Sequence, residues 1–99
     1  MSVLENEIEK YFKKQVEKRG WICWKFVSPG TMGVPDRIVI GPKGQALFVE
    51  LKRPDIGGTS KVQRYRIRQL RNLGHLVCIV NTKKKVDVFV KMLEERCDQ

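Results

Sequence analysis

The sequence predicts an α/β fold with a mixed sheet, in the element order α-β-β-β-α-β-α. Three observations predict it. Apolar stripes at helical spacing stand near both ends of the chain, over 2–19 and 83–96. Three short runs rich in β-branched and aromatic residues lie between 21 and 52. A helical segment then separates the third run from a fourth, a connection that suits a crossover to a parallel strand. The 99 residues are expected to form one domain, 1–99, around one core.

The first helix rests on Leu4, Ile8, Phe12 and Val16, with Tyr11 beside them. Ser2 and Glu5 have capping-box spacing at its start, and Gly20 ends it. Residues 21–27 read as a strand whose two tryptophans, Trp21 and Trp24, point to opposite faces, one for the core and one for an interface. The loop 28–35 holds two glycines and two prolines. Strand two covers 36–40, the turn Gly41-Pro42-Lys43-Gly44 makes a hairpin, and strand three covers 45–52. A loop over 54–58 leads to a helix from Lys61 to Leu73, with Gly74 as its C-cap. Leu76 to Val80 is wholly apolar and is expected at the centre of the sheet. The last helix, 83–96, turns Val86, Phe89, Val90 and Leu93 to one side.

The net charge of +9 is unevenly spread, +2 over residues 1–50 and +7 over 51–99. Such a balance favours a polyanionic partner, nucleic acid first and an anionic membrane surface second. No apolar stretch nears the ~18 residues of a membrane span. The polar, acidic start, Met1 to Lys10, is unlike a secretory signal, so a cytoplasmic location is expected. The cysteines, Cys23, Cys78 and Cys97, are odd in number and far apart, which suits reduced thiols. One histidine and no Cys-x-x-Cys pair argue against zinc.

Strand three carries the informative anomaly. Leu47, Val49 and Leu51 share one face; Ala46, Phe48, Glu50 and Lys52 share the other. A carboxylate and an ammonium thus end an apolar strand, at a cost of several kcal/mol unless they are paired or bind a metal. Counted back from the turn, Ile40 faces Gln45 or Ala46, which brings Asp36 near Val49 or Glu50. Two adjacent carboxylates repel, and a divalent cation relieves the repulsion. Oxygen ligands select Mg²⁺ or Mn²⁺. Each member also has an ordinary role open to it: a Glu–Lys pair at a strand end, and a turn residue after proline for Asp36.

The pattern Pro35-Asp36, then Glu50-Leu51-Lys52, resembles the PD-(D/E)xK nuclease signature. The wider set, Ser28-Pro29-Gly30-x-x-Gly33-Val34-Pro35-Asp36, Phe48-Val49-Glu50-Leu51-Lys52 and Gln63, resembles the VRR-NUC branch (virus-type replication-repair nucleases) over nearly the whole chain, in its stand-alone phage-type form. That resemblance implies a restriction-endonuclease-like α-β-β-β-α-β core with a C-terminal helix. It implies Mg²⁺- or Mn²⁺-dependent hydrolysis of DNA phosphodiesters. Asp36, Glu50 and the Leu51 carbonyl become expected metal ligands, Lys52 an orienting or activating residue for water, and Gln63 a supporting residue. An acidic ligand on the first helix is matched by Glu7, which equally suits the helix dipole. Gln63 equally suits a capping box with Ser60. The phage-type relatives imply a homodimer, since two cuts in a symmetric substrate need two sites. They also imply branched DNA such as four-way (Holliday) junctions, a place in DNA repair, and a host-cell cytoplasm. Lys61, Arg64, Arg68 and Arg71 form a basic stripe on the second helix, suited to phosphates or to solvent. The competing expectation is a nucleic-acid-binding module with the nuclease fold and no catalysis.

Overall fold

In the computed structural model, residues 3–52 and 59–97 are described. The elements are α1 (Val3–Lys18), β1 (Ile22–Lys25), β2 (Arg37–Ile40), β3 (Ala46–Leu51), α2 (Lys61–Asn72), β4 (Val77–Val80) and α3 (Lys83–Cys97). The Ser2–Glu5 cap and the 54–58 loop lie outside the described residues and side chains.

The strands form a mixed sheet in the order β1-β2-β3-β4. β1/β2 and β2/β3 are antiparallel, and β3/β4 is parallel through the α2 crossover. Period-two alternation sends alternate residues to two separate cores. On one side α1 and α3 lay Ile8, Phe12, Val16, Phe89 and Leu93 against Val39, Leu47 and Val49. On the other side Ile67 of α2 packs with Phe48 and Val77. Trp21 is buried at 2% exposure while Trp24 is exposed at 58%, the expected split between faces.

β4 is an edge strand among the described residues, contrary to the central position expected from its composition. It is apolar because helices cover both of its faces: Val77 joins the α2 core, whereas Val80 joins the α1/α3 core. An unbroken apolar run reports two covered faces, and an edge strand has two covered faces as readily as a central one. Strand one is shorter than the expected 21–27, although the Phe26 amide still donates to the Asp36 carbonyl at 2.7 Å. The start of α3 is tied by Thr82, whose hydroxyl accepts from the Lys85 amide at 3.1 Å.

The loop between β1 and β2 is clamped onto α2. Gly33 has φ +84°, and a Cβ there would stand 2.9 Å from the main-chain carbon of Val62. Arg66 reaches back from α2, its Nε donating to the Met32 carbonyl at 2.9 Å. This contact sets the approach of Pro35 and Asp36 to the first turn of α2. Gly33→Ala is therefore expected to cost about 1–3 kcal/mol, from a disfavoured φ and a main-chain clash. Urea unfolding measures it; an unchanged midpoint would show that the loop does not rest on α2.

Candidate active site

Ile40 pairs with Ala46 and Arg37 with Val49, so one further step along the same ladder sets Asp36 across from Glu50. The two residues interlock through main-chain amides. The Asp36 amide donates to Glu50 Oε1 at 3.0 Å, and the Leu51 amide donates to Asp36 Oδ2 at 3.0 Å. Glu50 is buried at 1% exposure. Its other oxygen, Oε2, accepts from Gln63 Nε2 and lies 3.4 Å from Lys52 Nζ.

Gln63 does both things open to it in the sequence. Its amide donates to Ser60 Oγ at 3.2 Å and its Oε1 accepts from the Ser60 amide at 3.0 Å, which closes a capping box. The same Oε1 accepts from Lys52 Nζ at 2.9 Å. One glutamine side chain therefore starts α2, holds the lysine head and braces the glutamate.

These residues line a cleft of about 340 Å³ at the end of the β2–β3 hairpin away from its turn. Asp36, Glu50, Leu51, Lys52 and Gln63 all border it, with Glu9 and Lys25 on the α1/β1 side. Among the described residues no cluster of three His, Cys, Asp or Glu side chains is set to hold a metal ion.

No family model matches the chain. It is 42% identical over 84 residues to "Putative nuclease p44" of Acyrthosiphon pisum secondary endosymbiont phage 1, covering 82% of this chain and 86% of that protein. A solved structure described as a VRR_NUC domain superposes with a TM-score of 0.85 at 30% identity, over 91% of this chain and 97% of that one. The chain belongs to the VRR-NUC family. A second solved structure, a VRR_NUC domain protein, has a TM-score of 0.64 at 18% identity, over 96% of this chain and 88% of that one, and shows the fold. The VRR-NUC fold is PD-(D/E)xK-like, as the sequence resemblance implies.

Within this VRR-NUC site, the structure separates the expected residues into two groups. Asp36, Glu50, Leu51, Lys52 and Gln63 come together; Glu7 does not border the cleft. Helical phase explains it. Glu7 and Tyr11 are four residues apart on one flank of α1, and that flank faces α3, where the Tyr11 hydroxyl donates to Asp87. Glu9 lies on the opposite flank of buried Ile8, reaches the cleft and pairs with Arg37. The exposed residues Lys61, Arg64, Arg68 and Arg71 lie along α2, and none borders the cleft. Arg64 Nη1 donates to the Thr59 carbonyl at 2.7 Å and Arg71 Nη2 to the Val77 carbonyl at 2.6 Å.

Sequence reasoning missed Arg37 and Glu9. Arg37 shares a strand face with Val39 and is 7% exposed. A charge in phase with a core valine was the available signal, since a buried guanidinium demands a partner.

Burial pushes the Glu50 carboxyl up to about 7 from an ordinary 4.5; the adjacent Asp36 raises it further, and Lys52 pulls the other way. A carboxyl raised in the folded state stabilises fully below its unfolded value, and that contribution is lost as pH rises through the folded value. Stability in EDTA should therefore fall between about pH 4.5 and 7. Glu50→Gln, which cannot ionise, should flatten that limb. Urea titrations across pH test this, and parallel pH profiles for the two proteins would contradict it.

Proposed function

We propose that the chain is a Mg²⁺- or Mn²⁺-dependent DNA endonuclease, with residues 1–99 acting as one nuclease domain in the cytoplasm, that of a host cell if the chain is phage-encoded. The observation that carries this reading is the convergence of Asp36, Glu50, Lys52 and Gln63 in one cleft. Nuclease function is supported by the name of the phage relative and by the VRR-NUC fold.

The donor chemistry fits a hard divalent cation. Two carboxylates oppose each other, and one resists ionising beside the other. Asp36, Glu50 and the main-chain carbonyl of Leu51 would hold the ion. Glu7, which does not border the cleft, is left out of this set. When bound, such an ion would polarise phosphoryl oxygens, acidify a bound water and balance transition-state charge. Lys52 supplies a fixed positive charge beside the attacking water, and Gln63 keeps the ammonium on that side of the cleft. The buried floor under Glu50 lowers the local dielectric, which strengthens each of these interactions.

Branched DNA, four-way junctions above all, is the proposed substrate, and a homodimer the proposed working form. One chain brings one Asp36–Glu50 pair to its cleft and measures 35 × 32 × 21 Å. Two paired cuts then need two chains, related by a twofold axis. An interface is supported by β1, where Ile22 and Trp24 are 44% and 58% exposed on the sheet face opposite Cys23. No helix among the described residues is long and apolar enough to cross a membrane.

Labelled linear, flapped and four-way DNA, incubated with Mg²⁺, Mn²⁺ or EDTA, tests the reading. Metal-dependent cutting is expected, with rates at least about 100-fold lower for Asp36→Ala, Glu50→Ala and Lys52→Ala. Cutting that persists in all three variants would sink the site assignment. Salt-sensitive binding with no cutting by the unaltered chain would favour the inactive module. Analytical ultracentrifugation should find a dimer that Trp24→Glu converts to monomer; a monomeric parent chain would end the homodimer proposal.

A further inference from the structure

A second hollow, of about 310 Å³, lies between α1 and β1. Lys10, Lys13 and Lys25 line it, with Asn6, and Cys23 is also part of its wall. It adjoins the cleft of Asp36 and Glu50, because Glu9, Lys25 and Arg37 border both. Lys25 ends β1 opposite Arg37, so it stands at the junction of the two.

The charge in this groove belongs to the lysines. Arg37 is neutralised by Glu9. Lys10, Lys13 and Lys25 are exposed and form no ion pair among the described residues. Lys14 and Lys18 extend the ridge along α1 beside a further hollow that Lys10, Lys13 and a single acidic residue, Glu17, also border. From Lys10 to Lys18 the helix advances roughly 12 Å, over which one DNA strand passes about three phosphates. The α2 stripe is differently placed: two of its arginines already bond main-chain carbonyls.

The geometry points to this α1/β1 groove as the track for the DNA backbone next to the scissile phosphate, with Lys10, Lys13 and Lys25 as its phosphate contacts. The assignment rests on the nuclease reading for its direction, since the groove leads into that cleft. Its contacts are electrostatic and independent of base sequence. The α2 arginines then lie off the main path.

The test is binding of a fluorescein-labelled four-way DNA junction and a linear duplex in EDTA, where no cutting is needed. Affinities are measured from 50 to 300 mM salt, roughly the range in which counterion release is read. The variant Lys10→Gln/Lys13→Gln/Lys25→Gln is compared with Lys84→Gln/Lys85→Gln/Lys91→Gln on α3, which removes equal charge. Arg64→Gln/Arg68→Gln/Arg71→Gln forms a third arm, and melting curves check each fold. Each phosphate contact contributes about 0.9 to the log–log salt slope, so the groove variant should lose about 2.7 and weaken on the order of 100-fold near 0.1 M salt. Lys→Arg at the three groove positions should keep the slope. Equal losses in the groove and α3 variants would overturn the proposal, since only net charge would then matter. A loss confined to the α2 variant would move the track to α2. Absence of DNA binding by the unaltered chain would remove the groove's role. Binding as expected without cutting in Mg²⁺ would leave the groove standing and reject the nuclease reading.

Discussion

The register between β2 and β3 is the constraint on which the site depends. The 41–44 turn pairs Ile40 with Ala46, and every later pair follows from that one. A slip of one residue would turn Glu50 into the α1/α3 core and Val49 out of it. The α1/α3 core therefore protects the register, because Val39, Leu47 and Val49 are all buried there. The same packing energy that stabilises the sheet holds Asp36 against Glu50. Two carboxylates are kept close by a hydrophobic interaction in which neither takes part.

The second support comes from α2, and it joins folding to chemistry at one residue. Gln63 caps the helix, and in that position its side chain also meets Lys52 and Glu50. The Gly33 contact brings the loop before Asp36 against the same helical turn. Loop, strand end and helix start thus converge on one another, and the cleft is what remains between them. The cleft's polar groups are oriented by structures that the fold needs in any case, which suits a site that must be organised before substrate arrives.

Charge is arranged on a different logic. The strongly basic half of the sequence is its second, yet several arginines there stitch α2 to nearby backbone. In the nearly balanced first half, three of the six acidic residues are drawn off into specific roles. Glu9 neutralises Arg37, and Asp36 and Glu50 face each other in the cleft. The lysines of α1 and the end of β1 are left facing solvent. Net charge by segment therefore indicates the class of partner but not the surface that meets it, because pairing in space cancels charges that are distant in sequence.

What the sequence by itself determined is local. The element order, the two-sided alternation of β3, the split between Trp21 and Trp24, and the 41–44 hairpin depend on neighbouring residues and short turns, whose geometry is nearly invariant. From these the approach of Asp36 to Glu50 could be counted, and the double role open to Gln63 could be read from its distance to Ser60. Tertiary structure decided what depends on which element covers which. It paired β4 with β3 alone among the described residues, and packed Val77 and Val80 into cores on its two faces. It kept Glu7 away from the cleft and brought Glu9 to it, since the angle of α1 about its axis is set by packing Phe12 and Val16. It paired Arg37 with Glu9 and gathered Lys10, Lys13 and Lys25 into one groove across a helix–strand boundary. Periodicity records that a side is buried or free; only the packed fold assigns the neighbour on that side.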